Sequence, residues 1–353
     1  MPEKPFKTFF QKFRLPISKT EKDIYFFLDE HFDEFKKELD KILATEKYES
    51  EFDRKIYTEL EKLKPKSYKL YEAILHTLYF YLRGDVFEAH RIFKEAMDSM
   101  QSYLFSSTLR GIVILNQFYR IRRDKGETRK DLFHIPLNQR ENVRGYRYSI
   151  SGFPSLYLAG SKGGGTGLVL AWLESNQLDT FYWSEFELVN DAQTIELLDF
   201  TWSPFSSATN SQQFDTWRIR QEEFVPEIIS KYVMTYPLLA ACSLKVENRD
   251  KPFIPEYIIP QMLLSWVHKN NKYRGIKYFS CTWIQEARKY NAFNVVLPPT
   301  TYTDEHCSQL ANEFKLSLPE YVDISSTNED KKALEIMLKP NQRKQNEMKF
   351  IHE

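Results

Sequence analysis

A chain of 353 residues exceeds the usual single-domain range, so two domains, or one domain with a large extension, are expected. Apolar content of 42% supports real cores, and Lys+Arg and Asp+Glu both number 49, so no global charge draws the chain to nucleic acid or an anionic membrane. No apolar run reaches the roughly 20 residues of a spanning helix, and Met1-Pro2-Glu3-Lys4-Pro5-Phe6-Lys7 lacks a signal-peptide core; a cytoplasmic protein is expected.

From about residue 20 to residue 120, apolar and aromatic residues recur three and four apart among Lys and Glu, which predicts helices. Ile24, Phe27, Leu28, Phe32, Phe35, Leu39 and Leu43 form one apolar face. A second helix is expected from Asp53 to Leu63, ending before Pro65, and a third from Ser67 to Leu82, stopped by Arg83-Gly84-Asp85. A fourth runs from Val86 to Met100. The charged run Arg122 to Asp131 changes the periodicity, and the domain boundary is expected there: a helical domain over 1–130, a second domain over 131–327 and a charged tail over 328–353.

Beyond Asp131 the chain reads as α+β, with strands at Ser155 to Ala159, Thr180 to Leu188, Thr194 to Phe200, Ile276 to Cys281 and Asn294 to Leu297. Leu168 to Leu173 is most simply a buried helix, and another is expected from near Pro260 to Asn270, since proline suits a first helical turn. The segment from Asn328, rich in Lys, Glu, Gln and Asn, reads as a frayed helix or a disordered tail.

Three side chains stand out for their chemistry. Arg147, beside Tyr148 in a run with strand character, could hold a phosphate or carboxylate by two parallel charge-assisted bonds, although a lone surface arginine is commoner. Alternation turns Tyr157 away from Leu156 and Leu158, where its ring could stack on a flat heterocycle or pack against a neighbour. Glu174 closes an apolar run, as a solvated helix end or as an acceptor at a pocket edge. The stretch Gly160 to Gly167 lacks the G-x-x-x-x-G-K-[ST] order of a phosphate loop and reads as a flexible loop. Cys242, Cys281 and Cys307 are too scattered for a disulfide framework or a zinc site, no ligand cluster calls for a metal, and no G-x-S-x-G marks a serine hydrolase. His134, His268 and His306 read as packing or surface groups.

Taken together, Phe133-His134-Ile135-Pro136, Arg147-Tyr148-Ser149, Gly152 to Leu158, Ala171-Trp172-Leu173-Glu174 and Gly275 to Ser280 resemble the RES domain, the toxin family named for its Arg, Glu and Ser. The resemblance covers Phe133 to about Leu297 and aligns the family's arginine with Arg147, its tyrosine with Tyr157, its glutamate with Glu174 and its serine with Ser280. Gln261 matches a recurrent glutamine of structural role. The glycine-rich insert lengthens the Tyr-to-Glu loop, which leaves Glu185 or Glu187 as substitutes for Glu174.

The resemblance implies an ADP-ribosyltransferase-like RES domain behind an all-α N-terminal domain. It implies NAD+ as substrate, cleaved at the nicotinamide N-glycosidic bond with water, phosphate or a protein as acceptor, and no metal. Glu174 would stabilise charge on the ribose, Arg147 would clamp the pyrophosphate, Tyr157 would stack on nicotinamide or its ribose, and Ser280 would bond a phosphate or the carboxamide. Partners implied are an antitoxin or regulatory protein and a second copy of the chain. A nucleotide-binding protein without catalysis, whose helical domain binds a partner, is the alternative reading.

Overall fold

The computed structural model describes residues 4–44, 51–109, 117–124, 126–162, 165–189, 195–201, 225–302, 305–339 and 348–353. The first helices are α1 (Lys4–Lys12), α2 (Ile24–Leu43), α3 (Glu51–Leu82) and α4 (Val86–Met100). Then come β1 (Ser106–Thr108), β2 (Gln117–Arg122), α5 (Arg129–Leu132), β3 (Leu156–Ser161), α6 (Thr166–Glu174), β4 (Thr180–Leu188) and β5 (Glu196–Asp199). The rest is α7 (Val225–Cys242), α8 (Ile258–Lys269), β6 (Gly275–Tyr278), α9 (Ile284–Lys289), β7 (Ala292–Leu297), α10 (Ser308–Glu313), β8 (Phe314–Leu316), β9 (Glu320–Asp323) and α11 (Glu329–Leu338). By contacts the chain divides into one unit of Met1–Leu104 with Trp202–Met262 and a second of Phe105–Thr201 with Leu263–Glu353. These divisions do not coincide with the boundaries expected at 130 and 327.

In the first unit, α2 buries Ile24, Leu28, Phe32, Phe35, Leu39 and Leu43 of the stripe its spacing predicts, leaving Phe27 half-buried, and Asp23 caps it by accepting the Tyr25 N–H. The second and third expected helices are one: α3 runs through Pro65. Proline inside a helix costs about 3 kcal/mol. Here Ile56, Leu60 and Leu63 before it and Leu70, Ile74 and Leu78 after it are all buried, so packing along the whole length outweighs the break. The helix α7, which the sequence reading did not single out, packs against α3, and Tyr236 on it stacks on Phe35 at 4.5 Å and bonds His31 Nε2 at 2.8 Å.

Among the described residues the second unit is built on a nine-stranded mixed sheet in the order β1-β5-β6-β7-β3-β2-β4-β8, with β9 also on β4. Only the β5–β6 pairing is parallel among these ladders. Five of the strands were expected; residue 194, the first of the expected third strand, lies outside the described residues. β1 and β2 occupy a stretch expected to be helical. In β2 both Phe118 and Tyr119 are buried, on opposite faces, so the two-residue alternation of a half-exposed strand is missing. Of the two readings of the segment from 328, its described residues follow the helical one, and they are packed: α11 buries Ile336 against the α6 side of the sheet, and Ile351 joins the core on the other side. Two or three apolar residues in a polar segment are enough once a neighbour supplies the rest of the core.

One sheet face carries Leu156, Leu158, Phe118, Phe186, Phe293, Val295 and Leu297; the other, with Tyr119, Ala159, Phe181 and Trp183, is covered by α6. The glycine-rich stretch serves this packing. Gly160 and Ser161 belong to β3 and Gly167 to α6, whereas Gly163 and Gly164 lie outside the described residues. A Cβ on Gly167 would stand 2.9 Å from the Tyr119 ring and 3.2 Å from the Gly160 backbone, so the glycines bring helix against strand. Gly167→Ala should lower the unfolding free energy by about 1–3 kcal/mol in urea titration; an unchanged midpoint would contradict this contact.

His134 and His306 are buried ring to ring at 5.2 Å. The Cys307 N–H donates to His134 Nε2 at 2.9 Å, and His134 Nδ1 bonds the Ile135 carbonyl at 2.7 Å, so the ring is held neutral with its proton on Nδ1. Burial lowers its pKa from 6.5 to about 4, against the pull of the Ile135 carbonyl. The unfolded chain therefore takes up a proton that the folded chain refuses as pH falls from 6.5 to about 4. Stability present above that window should drop by about 3 kcal/mol across it. Urea midpoints measured across this range, compared with His134→Asn, test the slope; identical slopes would refute the assignment.

Candidate functional site

Strand register sets the site. Across the sheet, Tyr157 of β3 stands beside Val296 of β7, which stands beside Ile276 of β6; one row on, Ala159, Asn294 and Tyr278 are aligned. Aligned residues share a face, and Ala159 packs under α6, so Tyr157, Asn294 and Tyr278 all project to the α6 side. The expected orientation of Tyr157, away from Leu156 and Leu158, is what the register gives.

Arg147 is not in a strand. It sits in a tight turn closed by the Ser149 N–H donating to the Tyr146 carbonyl at 3.0 Å, and the Ser149 hydroxyl donates to the Arg144 carbonyl at 2.9 Å. The Tyr157 hydroxyl donates to the carbonyl of Tyr148, which ties this turn to β3. Tyr148 is buried, its ring 4.6 Å from that of Tyr278.

Glu174 is the last residue of α6 and is half-buried. Asn294 Nδ2 donates to its Oε1 at 3.2 Å. Tyr278 is the common neighbour: burial pushes its phenol well above the ordinary range, Tyr157, Glu174 and Cys281 push it further, and Arg147 opposes them. Geometry relates the three residues Arg147, Tyr157 and Glu174, spread over 28 positions of sequence: the turn of Arg147 is tied to Tyr157 and lays Tyr148 against Tyr278, while Glu174 is bonded to Asn294, the strand partner of Tyr278. Glu185 and Glu187 lie on β4, separated from β3 by β2, and pair with Tyr119 and Gln117.

Ser280 is two residues beyond Tyr278 and buried, and its hydroxyl accepts the Trp283 N–H at 2.9 Å, fastening the turn before α9. Gln261 falls on α8. Arg120 of β2, which the sequence reading passed over, donates to the Tyr157 carbonyl at 3.1 Å; burial, with Arg122 nearby, lowers its pKa to about 9. Tyr278 and Asn294 were not singled out either. The signal for Asn294 was present, since it is the one polar residue in the otherwise apolar run Ala292 to Leu297.

Cys242, Cys281 and Cys307 are buried free thiols. Among the described residues no three His, Cys, Asp or Glu side chains are grouped to hold a metal ion, and no helix is long and apolar enough to cross a membrane.

Fold and site together define an α+β protein in which a mixed sheet, one covering helix and one tight turn converge an arginine, two tyrosines and a glutamate. The chain is 30% identical over 316 residues to a protein of Bacillus subtilis (strain 168) named "Putative toxin YopC", the match covering 86% of this chain and 67% of that one. The chain belongs to that protein's family. No family model matches it, and no solved structure matches it.

Proposed function

We propose that the protein is a RES-type toxin that cleaves NAD+ at the nicotinamide N-glycosidic bond, passing ADP-ribose to water, phosphate or a protein. The observation that carries this reading is that the turn of Arg147 is tied to Tyr157 on the sheet face where Asn294 holds the Glu174 carboxylate. The name of its Bacillus relative supports the toxin role.

Breaking the glycosidic bond leaves positive charge on the ribose ring, and a fixed carboxylate bonded to a ribose hydroxyl stabilises that charge as it grows. Glu174 supplies the carboxylate. Arg147, on its tied turn, supplies a fork of donors for the pyrophosphate. Because the Tyr157 hydroxyl is spent on the Tyr148 carbonyl, Tyr157 contributes its ring, and with Tyr278 it offers aromatic surface to the nicotinamide riboside half. Ser280 accepts the Trp283 N–H, which keeps the turn after β6 in shape, and a hydroxyl that accepts can still donate its own proton to a phosphate or the carboxamide. A toxin of this kind needs restraint inside the cell that makes it, which gives an antitoxin or regulatory protein as partner.

Incubating the purified protein with NAD+ and measuring free nicotinamide tests the reading, with mass spectrometry identifying what receives the ADP-ribose. NAD+ binding by calorimetry without nicotinamide release would favour the non-catalytic alternative.

A further inference from the structure

β7 is a central strand, paired with β3 on one side and β6 on the other, and all six of its residues are buried. Five are apolar. The sixth, Asn294, is 6% exposed, and asparagine is a poor strand former whose amide is costly to bury unless it is bonded. Such a local conflict marks a position kept for something other than stability. Its Nδ2 donates to Glu174 Oε1 at 3.2 Å.

Glu174 needs such a hold. It sits at the C-terminal end of α6, where the helix dipole disfavours a carboxylate, and the chain leaves the helix through Asn176 and Gln177, both at positive φ (59° and 52°). A glutamate side chain there has three torsions to order. Asn294, locked in the sheet and carrying a short side chain, has its donor fixed.

We propose that Asn294 is a positioning residue that fixes the Glu174 carboxylate for the ribose and acts through Glu174 without touching substrate. This rests on the NAD+-cleaving reading.

The test uses Asn294→Leu, which keeps the branched heavy-atom shape and suits the apolar strand, Glu174→Ala, and the double variant, all in the full chain. Nicotinamide release by Asn294→Leu should fall about 10- to 100-fold in kcat with KM changed less than about twofold, and Asn294→Leu should cost nothing more in the Glu174→Ala background. Urea unfolding midpoints, read without substrate, should shift less in the double variant than the sum of the single shifts. A folded Asn294→Leu with wild-type kcat, or losses that multiply in the double variant, would overturn the positioning role and leave the NAD+ reading standing. Non-additive midpoints with no nicotinamide released by the wild type would uphold the hold on Glu174 and overturn the NAD+ reading, and with it the catalytic use of Asn294.

Discussion

Glu174→Gln should lower the rate of nicotinamide release by about 10²–10³-fold, mostly in kcat. Glutamine keeps the shape and can still accept the Asn294 N–H through its amide oxygen, so the site remains built while the charge is gone. What is lost is the term that grows as the ribose becomes cationic, and a term present only in the transition state appears in kcat. The matching change at Glu185, also a carboxylate on this sheet, should leave kcat within about twofold, because β2 separates its strand from Tyr157. Equal rates for wild type and Glu174→Gln, or a large loss at Glu185 alone, would refute the assignment of the carboxylate.

Asp199→Ala should cost about 3–5 kcal/mol of unfolding free energy. Asp199 and Lys277 are aligned on the parallel pair β5 and β6, both nearly sealed from solvent, with Lys277 Nζ 2.8 Å from Asp199 Oδ2. The other oxygen of Asp199 accepts the backbone N–H and the hydroxyl of Thr201, at 2.8 and 2.6 Å. Removing the carboxylate strands a buried ammonium whose other close neighbour is the Phe293 ring, 4.8 Å away. Lys277→Met with Asp199→Leu removes both charges and should recover most of the loss, since replacing a buried pair by apolar side chains is often neutral or better. Urea titrations of the three variants decide it; a single-variant loss under about 1 kcal/mol would mean that water or movement relieves Lys277.

How local a signal is decides whether the sequence carries it. The fourth helix, Val86–Met100, and the strand Thr180–Leu188 fall where they were expected, because each carries its own periodicity and its own stop signals. Pro65 misled because a breaker is a local rule, and α3 overrides it with contacts made along its whole length. β2 was not expected because a strand buried on both faces loses its alternation; α11 was open between a frayed helix and a disordered tail because its apolar residues are few and its partner, α6, lies far away in the chain.

The site divides in the same way. The sequence by itself determined the residue types, the face on which Tyr157 would lie and the buried helix before Glu174, and it carries a resemblance that links Arg147, Tyr157, Glu174 and Ser280; the first three depend on neighbours a few positions apart. Only the tertiary structure decided that the turn of Arg147 lays Tyr148 on Tyr278 and is tied to Tyr157, that the Ser280 hydroxyl accepts the Trp283 N–H, and that the Glu174 carboxylate is held from 120 residues away by Asn294. The reason is physical: strand order and register bring those groups together, and both are set by burial over the whole sheet, which no short stretch of chain encodes.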